Sequence, residues 1–449
     1  MNERRVGWAT VLLVAAALLA AACGSDDDGD PTSTPTTSHD EFSESTTTAT
    51  PDGGQTTETP ELTASFRGVT AESIAVGVVA IDYVRLAEFG IDLNRGDGRA
   101  MFEAAVEAIN DRGGIHGRRL DIVTEAYLPV GSIEADEICV RLTEDRESFI
   151  VVGEFRLDEA LCYTALNDTA VVALSEQNQD RIDRSTAPYV SVAGQIEADA
   201  QIWVDTVVAS GALDGKKVGV IGFASVDEAL YLAMVAALQN AGIDTFARLV
   251  DANDNDINQS VASAELVFEL FRVEGVEVTI NANVLPGPIG TAAEQGYSTT
   301  WMQIPYLSPA AFSNAEIDFD YLDGMLAVTP TPVGTTDQRA VMDDPLMVDC
   351  VEMIESRTDE VIDFALHPEV RNLFSAMDAC ALATVLELGL TAAGPELTNE
   401  TLAAGFESLG EFPLAGYFSA DLGPGDQGAI NPSQIVRFSA DEGAWVPVE

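Results

Sequence analysis

The chain has 449 residues, too many for one ordinary core and suited to two domains of roughly 100–200 residues each plus appendages. Seventy-four acids against 22 bases give a formal charge of −52, with Lys216 and Lys217 the only lysines; this excludes nucleic acid and an anionic membrane surface as partners, since each needs a basic patch. A hydrophobic share of 47% excludes a wholly disordered acidic chain.

Arg4 and Arg5 precede an apolar run from Val6 to Ala22, which ends in small residues before Cys23. A basic start, a short apolar segment and one cysteine resemble a bacterial lipoprotein signal, with Ala20 where leucine is usual. The resemblance implies that residues 1–22 are removed and Cys23 is lipidated. The body is then extracytoplasmic, held to the outer face of the cell membrane by lipid alone, or periplasmic. Residues 23–65 form an acidic Ser/Thr/Pro-rich segment expected to be a disordered tether, because it lacks the apolar surface to offset its conformational entropy. Ten acids and no Lys or Arg lie between Gly24 and Leu62; the body beyond still carries −43. No later stretch of membrane-spanning length and apolarity is expected.

The body alternates strand and helix. Ile74–Val79 (IAVGVV) is a short, mostly β-branched run, as in a strand buried on both faces. Arg99 to Asn110 carries Met101, Phe102, Ala105, Val106 and Ile109 on one helical stripe and stops at Gly113 and Gly114. Strands are then expected at Leu120–Thr124, Phe149–Val152 and Ala170–Leu174, with helices at Ile133–Asp145 and Asp158–Asn167 between them. The alternation restarts after Tyr189–Gly194, with helices at Glu197–Ser210, Asp227–Ala241 and Ile257–Val273. Strands are expected at Lys217–Ile221, Thr245–Val250, Val276–Asn281 and Met302–Leu307. Residues 337–407 read as mainly helical, followed by a strand at Gln434–Ser439 and a short tail at Trp445. Repeated βα units predict parallel sheets covered on both faces, and two such sheets fit the length better than one.

Four cysteines follow Cys23. In an exported chain an even number favours disulfides; of three possible pairings the sequence-local one is expected, Cys139 with Cys162 and Cys350 with Cys380. No Cys-x-x-Cys or paired histidine is present, and His39, His116 and His367 are scattered, so neither metal nor cofactor is expected. Asp254, Asp256, Asn258 and Glu265 have an EF-hand-like spacing, but Gln259 stands where the loop needs glycine. The apolar spacing of Val261, Leu266, Val267 and Leu270 is helical, so an Asp256 cap explains the pattern better.

The segments Gly68–Gly77, Ala105–Arg118 (AVEAINDRGGIHGR), Phe149–Gly153, Gly215–Ile221, Asp378–Ala379 and Ala440–Trp445 together resemble the type I periplasmic binding proteins. Within these, the chain is similar to the branched-chain amino acid group of ABC-transporter solute receptors. The resemblance implies an α/β fold of two doubly wound lobes joined by three crossing strands, with the ligand clamped in a cleft between lobes that close about the hinge. Lobe 1 is expected from residues 66–192 and 330–413, and lobe 2 from 193–329 and 414–449. The crossings are expected near Val190–Gly194, Ala327–Thr331 and Phe412–Phe418. A small-molecule ligand and separate permease and ATPase subunits are the implied partners of a monomeric, non-enzymatic receptor.

In open α/β sheets ligands bind beyond the carboxyl ends of the strands, where Asp82, Tyr83, Arg156, Ser175, Asn178, Asp227, Asn283 and Tyr306 are the candidate ligand residues. Arg156 either pairs with a ligand carboxylate or bridges Glu154 or Asp158. Asp82 and Tyr83 supply an acceptor and an aromatic wall, or a turn cap and a half-buried ring. Asp227 reads more naturally as a helix N-cap. The family's Ser-rich turn is Glu154–Asp158 here, its Ser-Pro-x-Ala-Thr loop is Ser175–Gln179, and Tyr306 stands at the position of its ammonium-pairing acid. The body's negative field calls for a local cation if the ligand is a carboxylate; otherwise the ligand is neutral or cationic. No Gly-x-Ser-x-Gly, P-loop or well-placed histidine supports catalysis. A sensor or surface protein of the same fold remains the alternative to a transport receptor.

Overall fold

The computed structural model describes residues 62–88, 95–129, 133–224, 228–250, 257–363 and 372–448. The signal, Cys23, His39, most of the tether, Asp227, Asp254, Asp256 and His367 lie outside them. The first sheet consists of β1 (Ser73–Ile81), β2 (Arg119–Tyr127), β3 (Ile150–Gly153), β4 (Ala170–Ala173) and β5 (Tyr189–Ser191), all parallel, in the order β2-β1-β3-β4-β5. β3 and β4 read IVVG and AVVA and are fully buried, as strands covered on both faces must be.

The second sheet repeats the plan. β6 (Val218–Phe223), β7 (Thr245–Val250), β8 (Val278–Ala282), β9 (Thr300–Ile304) and β10 (Leu326–Thr329) run parallel in the order β7-β6-β8-β9-β10. A hairpin of β13 (Gln434–Ser439) and β14 (Ala444–Pro447) extends it, with β13 antiparallel to β10. β11 (Gly410–Phe412) and β12 (Ala420–Leu422) form a separate two-stranded ribbon. In each sheet the strand order reverses beside its first strand, which opens a crevice at the carboxyl ends there.

The segment Asn110–Arg118, on which the family resemblance leans most, is a structural clasp. The Asn110 amide donates to Leu120 O and accepts from Leu120 N, tying the end of the helix Gly98–Asp111 to β2. Arg118, 1% exposed, donates to the carbonyls of Thr63, Thr70 and Pro395. Its guanidinium thereby fastens the start of the described body to the far end of the chain. Two disulfides, Cys139–Cys162 and Cys350–Cys380, close loops of 23 and 30 residues.

Among the described residues the chain passes between the cores three times. It leaves the first sheet after β5 for the helix Ile196–Ala209, and returns after β10, where Val333 and Val341 pack in the first core. The third passage differs from expectation. Leu414, Ala415, Ala420, Leu422, Ala429 and Ile430 all pack in the first core, so the chain goes over just before Gln434 rather than near Phe412–Phe418. The loop-rich stretch around the β11–β12 ribbon has no βα period to reveal this; its apolar residues decide the matter by where they are buried. A second difference is the helix Asn372–Ala392. It is long and apolar enough to cross a membrane, yet 72% of its apolar window is buried in the first core.

Candidate functional site: the cleft between two sheets

Register places the site. Val79 on β1 pairs with Gly153 on β3, and Gly153 with Ala173 on β4, so the loops that follow start side by side. Gly153 has φ +134°, and a Cβ there would stand 1.9 Å from Val79 O. Glycine is therefore required where the chain turns out of the sheet to present Glu154. A cavity of about 480 Å³ opens at this edge, against Tyr83, Arg95, Glu154, Ser375 and Asp378.

Two linked pairs line it. The Tyr83 hydroxyl donates to Glu154 Oε2 at 2.8 Å, and Arg95 Nη2 donates to Asp378 Oδ2 at 2.6 Å. The Arg95 guanidinium lies 5.5 Å from the Tyr83 ring centre, and Tyr417 lies beside Asp378. Burial raises the pKa of both Glu154 and Asp378, and the Arg95 charge offsets part of the rise. Burial works against the Arg95 charge, but Tyr83, Asp378 and Glu154 hold its pKa above the ordinary value.

A second chamber of about 230 Å³ adjoins the first, sharing Leu174 and Asp378 as walls. Its lining draws on both cores: Val192 and Ile430 from the first, Trp203, Leu230 and Ile304 from the second. All three inter-sheet passages border it, through Val192–Gly194, Pro330–Thr331 and Ile430–Pro432. Glu176 and Asp199 bring acid to this hinge chamber. Burial pushes the Glu176 carboxyl up to about 7; burial, then the Glu176 and Asp426 charges, push Asp199 well above the usual range.

The eight candidate residues distribute unevenly. Asp82 and Tyr83 line the large cavity, and Asp82 also caps the following turn by accepting from Arg85 N. Tyr306 lines the hinge chamber while donating to Val333 O at 2.7 Å. Ser175 lies between the strands' ends and donates to Phe155 O. Asn178 caps the helix Gln179–Arg184 through Arg181 N. Asn283 is fully buried, accepting from Phe223 N and donating to Ile221 O and Asn281 Oδ1. Arg156 turns to the Pro129 carbonyl, and its own N–H donates to Glu159 Oε2, so it stands apart from both chambers. Asp227 lies outside the described residues.

Arg95, Glu154, Glu176, Asp199 and Asp378 were not among those candidates. Asp199 had a readable signal: it falls on the apolar stripe of Ile196, Ala200, Trp203 and Val207, where an acid is out of place. Arg95 was legible only as a rare base before a helix. Among the described residues no group of three acid, histidine or cysteine side chains is arranged to hold a metal ion.

No protein-family model matches the chain, and no curated protein matches it by sequence. Solved structures do. An ABC-transporter substrate-binding protein from Desulfitobacterium hafniense, in complex with Leu, is 16% identical with a TM-score of 0.57, covering 84% of this chain and all (100%) of that one. A fatty acid ABC-transporter substrate-binding protein from Thermomonospora curvata is 15% identical with a TM-score of 0.58, covering 85% and 93%. A solute-binding protein of an ABC transporter from R. palustris, in complex with 4-hydroxybenzoate, is 12% identical with a TM-score of 0.60, covering 84% and 96%. Sheet order, crevice and likeness agree: the chain has the two-lobed α/β fold of the type I periplasmic binding proteins.

Proposed function

We propose that the protein is an extracytoplasmic solute-binding lipoprotein of an ABC importer, capturing a small polar or amino-acid-like molecule without chemical change. The observation that supports this most is the two adjoining cavities, with the Arg95–Asp378 ion pair where they meet and the inter-sheet passages bordering the second. A solute that touches both lobes stabilises the closed arrangement by its extra contacts, and a permease then recognises that form. The relatives of this fold named above bind Leu or 4-hydroxybenzoate, or serve fatty acid transport, so the fold by itself leaves the solute class to the side chains.

Arg95 takes the place that the sequence offered to Arg156, a guanidinium at the cleft wall for a polar end of the solute. Tyr83 supplies an aromatic surface beside it. Screening the protein by thermal shift against amino acids, amides, short-chain acids and aromatic acids tests the reading, since tight binding raises Tm by mass action. A solute that raises Tm and contracts the molecule in scattering is the expected result. A sensor with the same fold would bind and close equally well, and differs in docking a partner other than a permease.

A further inference from the structure

The hinge chamber holds acids with no matching base. Its described lining includes Glu176, Asp199 and Asp378 but no Arg, Lys or His, and Asp378 is already paired with Arg95. Asp199 is 9% exposed, and its Oδ1 is buried with no hydrogen-bond partner among the described residues. A Cβ on Gly194 would stand 1.7 Å from Asp199 Oδ2, so the backbone leaves that carboxylate room only because residue 194 is glycine. Trp203, Tyr306 and Tyr417 provide aromatic walls. An unpartnered buried acceptor among aromatic faces is the environment that an organic cation satisfies, by charge-assisted hydrogen bonds and by attraction to the rings.

We propose that this chamber is the seat of an ammonium group on the captured solute, held by Asp199 and Glu176 and walled by Trp203, Tyr306 and Tyr417. The inference rests on the solute-binding reading above and names the solute class: an alkylamine, with its polar far end toward Arg95. Glu176 and Asp199 favour protons in the chamber, with the Asp426 charge adding to the negative field at Asp199. An entering cation replaces those protons.

The test uses the full-length protein at pH 8 and three probes of matched length: 4-amino-1-butanol, whose hydroxyl can accept from Arg95, 1,4-butanediol and succinate. Titration calorimetry and thermal shift should show binding of the amino alcohol alone. Asp199→Asn should weaken it roughly ten- to a hundredfold, as loss of a hydrogen bond to a charged group does. Asp199→Asn is isosteric and is neutral without taking up a proton, so its own Tm should match or exceed the wild-type value; Glu176→Gln serves as the second variant. Equal or better binding of the diol or succinate, unchanged amino alcohol affinity in both variants, or no amino alcohol binding overturns the assignment. The solute-binding reading stands or falls separately, on whether any solute of the wider screen binds and closes the lobes.

Discussion

Arg95 and Asp378 stand 283 residues apart in the chain and are joined by a 2.6 Å ion pair in the wall of the cleft. One sits just before the helix Gly98–Asp111 and the other within Asn372–Ala392, so the pair exists only when the early and late parts of the first lobe are assembled. Both side chains are about a quarter exposed, which leaves the pair within reach of a solute.

Replacing Arg95 by Ala strands the Asp378 and Glu154 carboxyls, whose pKa burial already raises. Chemical denaturation should show a loss of about 2 kcal/mol, below the usual cost for a fully buried pair because water reaches this one. Affinity for any solute found by screening should fall as well. Unchanged stability and unchanged affinity would remove Arg95 from the site.

Glu176 sets a pH dependence with a definite sign. Its folded-state pKa is raised from 4.5 to about 7, so between those values the folded chain holds the proton that the unfolded chain has released. Its contribution to stability is present in full at low pH and is lost as pH rises toward 7 and beyond. Asp199 and Asp426 face the same region and shift in the same direction, whereas Glu134 and Asp158 shift oppositely elsewhere. Comparing wild type with Glu176→Gln isolates the one group: the variant should gain up to about 3 kcal/mol relative to wild type between pH 4.5 and 8. Parallel stability profiles would contradict the assignment.

Gly194 and Asp199 form a steric couple. An alanine at 194 would drive its Cβ into the Asp199 carboxylate. Gly194→Ala should cost about 1–3 kcal/mol, as overpacking does, and adding Asp199→Ala should restore most of it. A double-mutant cycle measures the coupling; additive losses would show that residue 194 is glycine for another reason.

How much of this was readable beforehand depends on what each residue needed. Strands such as Ile74–Val79 and Ala170–Leu174 were legible because burial on both faces writes an apolar, β-branched run. The crevice was legible from the βα alternation, and Asp82, Tyr83 and Tyr306 lie along it. Side-chain direction in loops has no such period. Arg156 turns to Pro129 O, and Asn178 spends its oxygen on a helix cap. Asn283 is taken up by a buried amide network in which Asn281 donates to Gln303 Oε1 and Gln303 donates to Asn283 O. The Arg95–Asp378 pair is a product of tertiary folding alone, and spacing along the chain carries no trace of it.

The two disulfides close loops of 23 and 30 residues within the first lobe, and the chain-entropy argument assigns each roughly 3 kcal/mol. Reduction under native conditions should lower the denaturation midpoint markedly, with Cys139→Ser/Cys162→Ser and Cys350→Ser/Cys380→Ser each giving part of the loss. Midpoints unmoved by reductant would place the stability of this lobe elsewhere.

Capture by closure is read out by small-angle scattering of the full-length protein with and without a solute that raises its Tm. The radius of gyration should fall on binding, with the contraction absent in Arg95→Ala at the same solute concentration. A solute that binds tightly in the cleft while the radius stays unchanged would contradict it.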